Sequence, residues 1–148
     1  MNTTAINNLA SFLNNIPSRY NRGFNMESYD QSNDECSFNG GEVETHVGFQ
    51  CNTTACIAGW ACLVLRDDGM IRAKNDVLSP DQIDSFPGTA RRLLGITVDQ
   101  ANELFEPMNY TDLDRFKVDW NTITPRQAAK VLRHLAKTGE VDWGRAFA

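Results

Sequence analysis

The sequence has no long apolar run, no cationic leader and little histidine, and each lack narrows what the chain can be. Its longest apolar run, residues 55–65, covers eleven positions, whereas a bilayer-crossing helix needs roughly twenty. The opening MNTTAINNLASFLNN lacks the positive n-region and apolar h-region of a secretory signal. These two absences predict a cytoplasmic protein without membrane contact. The Asn-x-Thr triplets at Asn2, Asn52 and Asn109 then carry no glycan. The 14 Lys and Arg read as scattered among 19 Asp and Glu, for a net charge of −5. With no basic stripe to follow a phosphate backbone, direct nucleic-acid binding is not expected.

What is present fits an ordinary globular chain. The 148 residues are 41% hydrophobic and 22% charged, enough for one domain with a real core. The pattern predicts a mainly α fold: a single compact helical domain over residues 1–148, with a small β-hairpin inserted near the N-terminal third. Ile6, Leu9, Ala10 and Leu13 share one face of a first helix, capped by Thr3 or Thr4 and stopped by Pro17. A polar loop follows over 18–35, with Phe24, Met26 and Tyr29 as anchors. Asn39-Gly40, and the alternation of Val43, Thr45 and Val47 with Glu42, Glu44 and His46, predict the hairpin at about 37–50.

Next comes CNTTACIAGWACLVL. Every side chain over 55–65 is apolar or small, so no face is left for water. The segment predicts a central buried helix at about 54–66, capped by Thr53 or Thr54 and ended by Gly69. Downstream, Ser79-x-x-Gln82, Thr97-x-x-Gln100 and Thr124-x-x-Gln127 each match a capping box. A short helix is expected from Thr89 to its stop at Gly95. The last helix, 124–138, should bury Ala128, Val131, Leu132 and Leu135 and stop at Gly139.

The four cysteines, Cys36, Cys51, Cys56 and Cys62, are expected as thiols. Three readings compete for the segment that holds most of them. In the first, the cysteines are small core residues, and Gly59 permits close approach of a neighbour or ligand. In the second, Cys56 or Cys51 is a nucleophile activated at a helix N-terminus, with His46 as base. In the third, Cys36, His46, Cys51 and Cys56 supply four zinc ligands, although their spacing matches neither a finger nor a ribbon. Trp60, Trp120 and Trp143 read as core aromatics, and His134 as the edge of its helix.

CNTTACIAGWA resembles the C-G-T-x-x-C-x-A-G-[WH]-A motif of a family of small phage and bacterial proteins without an established activity. The likeness continues through ARRLLGITVDQANELF and TPRQAAKVLRHLAKTGEVDW, with shorter stretches in LASFLNNIPSRYN and FNMESYDQ. Asn52 stands where the motif has Gly, so a turn that requires a positive φ differs there. The resemblance implies a shared fold and a phage or prophage origin, and it implies no activity.

From these readings the expected function is that of a non-enzymatic accessory protein that binds a host protein or a small anionic ligand. The free N–H groups at the start of the central helix, around Thr53, Thr54, Cys56 and Gly59, are the expected ligand contacts. No cofactor is expected. The alternative is a cysteine-dependent hydrolase or transferase using Cys56 or Cys51 with His46.

Overall fold

The computed structural model describes residues 1–16, 26, 56–76, 78, 82–83, 85–110 and 118–148. They are mainly helical: α1 (Thr3–Asn14), α2 (Ile57–Val64), α3 (Phe86–Leu94), α4 (Val98–Phe105), α5 (Pro107–Tyr110) and α6 (Pro125–Thr138). The expected hairpin at 37–50 and the polar loop at 18–35 fall outside the described residues, apart from the buried Met26. Among the described residues, extended pairing is limited to one antiparallel bridge, Leu65 to Ile71. No described helix is long and apolar enough to cross a membrane.

α1 and α6 form the largest helix–helix contact, and α2 packs on α3. α1 turns Ile6, Leu9, Ala10 and Leu13 inward, as their spacing predicts. Against it α6 buries Ala128, Ala129, Val131, Leu132 and Leu135, where the two alanines let the helix axes come close. Fully burying a Leu or Ile contributes about 1.5–3 kcal/mol, so this seam carries much of the fold's stability. Trp143 closes the far side, edge-on to Trp120 with ring centroids 5.4 Å apart. Its indole N–H donates to the Glu103 carbonyl at 2.9 Å, so the buried ring leaves no donor unpaired.

The helix starts show which local signals held. Thr97 and Thr124 each form the complete capping box, with Gln100 and Gln127 reaching back to the cap nitrogen. The box expected at Ser79 lies outside the described residues, and no described α-helix lies between Asp76 and Ser85. α1 is capped by Asn2, whose side chain accepts from the Ala5 N–H at 3.0 Å, and not by Thr3 or Thr4. Those threonines lie inside the helix, because an Asn one position earlier does the same work. α3 begins at Phe86 rather than Thr89. Pro87 falls in its first turn, where a missing N–H costs little. It ends as expected at Gly95, in a left-handed cap where Gly95 N–H bonds the Arg92 carbonyl and Ile96 N–H the Arg91 carbonyl.

α2 is shorter than the apolar run. Its N-cap is Cys56 and its last residue Val64, so Thr53 and Thr54 precede the cap. Leu65 leaves the helix in extended conformation and pairs with Ile71, although its side chain stays buried. Gly69, at φ +80°, therefore sits in the turn between these partners and does not end the helix. Arg66 N–H to the Met70 carbonyl and Arg72 N–H to the Val64 carbonyl tie that turn, at 2.9 and 2.7 Å.

Candidate functional site

α2 is buried at all eight positions, including Gly59 and Trp60. At its N-cap, Cys56 is 1% exposed, and Cys62, six residues later, is 0% exposed. Burial is the first cause of the Cys56 thiol's rise from 9.0 to about 11, because a thiolate there loses its water. The amides of Gly59 and Ala58 pull the other way without reaching cap hydrogen-bond geometry, and desolvation wins. Cys62 is pushed up to about 12, again first by burial and then by Cys56. Its Sγ–H donates to the Phe86 carbonyl at 3.2 Å, which links α2 to the start of α3.

A helix N-terminus favours the thiolate, but burial in apolar surroundings raises a thiol's pKa, and at Cys56 burial is the larger effect. Cys56 has the dipole and lacks the exposure. Cys51, His46 and Cys36 lie outside the described residues, as do Thr53 and Thr54. Of the expected ligand contacts, the described pair, Cys56 and Gly59, have no open surface. Among the described residues no three His, Cys, Asp or Glu side chains group as metal ligands. Trp60, Trp120 and Trp143 are core aromatics, and His134 is half-buried at the edge of α6.

Among the described residues, charge gathers in two places. The first is the turn after α2, where Arg66, Asp67, Asp68 and Arg72 line an open depression of about 340 Å³. Asp68 pairs with Arg66 at 2.8 Å, and Asp67 reaches Arg92 of α3 at 2.6 Å. The Arg92 guanidinium beside it, by hydrogen bond and charge, holds the Asp67 carboxyl below its usual range, with a smaller contribution from Arg72. Both pairs are exposed, so their worth for stability is small. Arg72 is half-buried, and its Nε is buried with no hydrogen-bond partner among the described residues.

The second is α6, which corrects the expectation of scattered cations. Arg126, Lys130, Arg133 and Lys137 recur at intervals of four, three and four, which places them in one row, and all four are exposed. The helix holds no Asp or Glu, and none of the four is in an ion pair among the described residues. At 1.5 Å per residue the row is about 16 Å long. Lys130 Nζ donates to the Ala148 carbonyl at 2.9 Å. The row was readable from the α-helical spacing alone, but the acidic total hid it. Arg72 gave no comparable signal, because only the Leu65–Ile71 bridge brings it beside the turn. Set against protein-family models, curated proteins and solved structures, the chain matches none of them.

Proposed function

We propose that this chain is a non-enzymatic, phage-type accessory protein that binds a host protein by an acidic patch on that partner. The observation that carries this reading is the cationic row on α6, which faces no Asp or Glu side chain in an ion pair among the described residues. The chain has net charge −5, yet this one helix collects four of its 14 cations and none of its 19 acids. Charges of one sign along a rigid helix favour encounter with a surface of the opposite sign and set its register. The acidic remainder of the chain repels a continuous polyanion such as a nucleic-acid backbone, and a partner with one local acidic patch avoids that repulsion. Buried Cys56 and Cys62 thiols support a binding role over a catalytic one, since a protonated, water-free thiol is a poor nucleophile.

The test is affinity capture from a bacterial lysate with the wild-type chain and with a variant carrying Gln at 126, 130, 133 and 137. A partner held in stoichiometric amount by the wild type, lost in the variant and released by salt, supports the reading. Equal retention by the folded variant overturns it, and so does capture of duplex DNA in place of a protein.

A further inference from the structure

α6 bears a cost that its own stability does not explain. Like charges three and four residues apart repel one another, and no Asp or Glu on the helix offsets the repulsion among Arg126, Lys130, Arg133 and Lys137. Lys137 stands in the last turn, where a cation suits the helix dipole. Arg126 stands in the first turn, where a cation opposes it. Along the axis the four are about 6, 4.5 and 6 Å apart, within the Debye length of about 8 Å at physiological salt, so they act as one patch. The final helical turn, Trp143–Phe147, packs on α6 and adds an apolar group at the flank of this patch. Lys130 Nζ donates to the carbonyl of Ala148, next in the chain to Phe147, and Phe147 is 52% exposed.

We propose that the partner element this face receives is an acidic α-helix, laid along α6 with four carboxylates in register and one apolar side chain against Phe147. This rests on the host-protein reading and names the element that the row engages. Carboxylates at intervals of four, three and four on a facing helix repeat the rise of the row residue for residue. Side chains on one face of an extended strand recur at about 6.7 Å, so four of them cover about 20 Å and overrun a row of about 16 Å. The intervals read the same in both directions, so charge alone accepts a parallel or an antiparallel helix, and Phe147 beside Lys130 breaks that tie. Arg126 and Arg133 each offer a carboxylate two parallel N–H donors, and Lys130 keeps two of its three donors after the bond to Ala148. A carboxylate at Arg126 also meets the positive end of the α6 dipole, which relieves the conflict there.

The experiment is fluorescence anisotropy of the full chain with two labelled Ala-rich peptides of about twenty residues, long enough to hold a helix in water. Both contain four Glu and one Leu. In the first the Glu follow the four-three-four intervals with Leu next to the second; in the other the same residues are distributed around the helix, at equal helicity by circular dichroism. The matched peptide is expected to bind about tenfold more tightly than the redistributed one. Phe147→Ala should weaken it about fivefold. Arg126→Glu should weaken it as well, and a peptide with Lys in place of its first or its last Glu should recover that loss. Equal affinity for the two peptides, unaltered affinity in folded Phe147→Ala, or no recovery by either Lys peptide would overturn the proposal. Binding of phosphatidylserine vesicles with no binding of the matched peptide would overturn it too. Lysate capture lost in the four-Gln variant, together with equal binding of the two peptides, would leave the host-protein reading standing and the acidic helix wrong.

Discussion

The backbone N–H of Asn2 donates to the Leu94 carbonyl at 2.9 Å, and a Cβ added to Gly95 would stand 2.9 Å from that same nitrogen. The start of α1 is thus laid directly over the left-handed cap of α3. Asn2 also caps its own helix, so one residue serves two elements. Gly95→Ala should lose about 1–2 kcal/mol for the left-handed backbone and about 1–3 kcal/mol more for the clash. Gly139→Ala is the control: φ is +80° there, and nothing lies within 4 Å of the added carbon. Only the backbone cost of about 1–2 kcal/mol should appear. Urea unfolding of the two variants checks the difference, and equal losses would show that Asn2 does not rest on Gly95.

Gln100 does more than complete its capping box. Its Oε1 accepts from the Thr97 N–H at 2.8 Å, and its Nε2 donates to the Gly139 carbonyl at 2.7 Å. The side chain thereby ties the start of α4 to the end of α6. Gln100→Glu keeps the cap acceptor and removes the donor, so it should cost about 1 kcal/mol through the lost bond to Gly139. Gln127→Glu, whose box has no such second bond, should be close to neutral or slightly stabilising at the helix N-terminus. Thermal melts of the pair at neutral pH measure this, and identical shifts would contradict the tie.

How far the sequence carried depended on whether a signal was local. The boxes at Thr97 and Thr124 and the stops at Gly95 and Gly139 depend on neighbours three or four residues away, so spacing revealed them. The end of α2 did not show, because Leu65 continues the apolar run while its backbone answers to Ile71 across a turn. The start of α3 lies three residues before the expected Thr89, at Phe86, where Pro87 suits the first turn. At the site, the burial of Cys56 and Cys62 followed from composition. The unpaired Nε of Arg72 followed from the tertiary course of the chain, and no residue pattern encodes it.

Alkaline pH should expose the buried thiols through stability. Cys56 and Cys62 titrate at about 11 and 12 when folded, against 9.0 for the free group. The folded state therefore holds more protons than the unfolded one above pH 9. The stability this provides is complete below pH 9 and is lost as pH rises through 9 toward 11 and 12, by up to about 1.4 kcal/mol per unit for each thiol. Urea unfolding from pH 8 to 10.5 should show a shallower decline in Cys62→Ala than in the wild type. Parallel declines would mean that the thiol is not held in its protonated form.

Whether the cysteine helix is interior or reactive is tested most directly by iodoacetamide labelling of the native chain, mapped residue by residue by mass spectrometry. With Cys56 1% exposed and Cys62 fully buried, both should label far more slowly than free cysteine at neutral pH, and at the ordinary rate once the chain is unfolded in urea. Labelling of native Cys56 as fast as free cysteine, or faster, would contradict this and return the helix N-terminus to the role of a catalytic nucleophile.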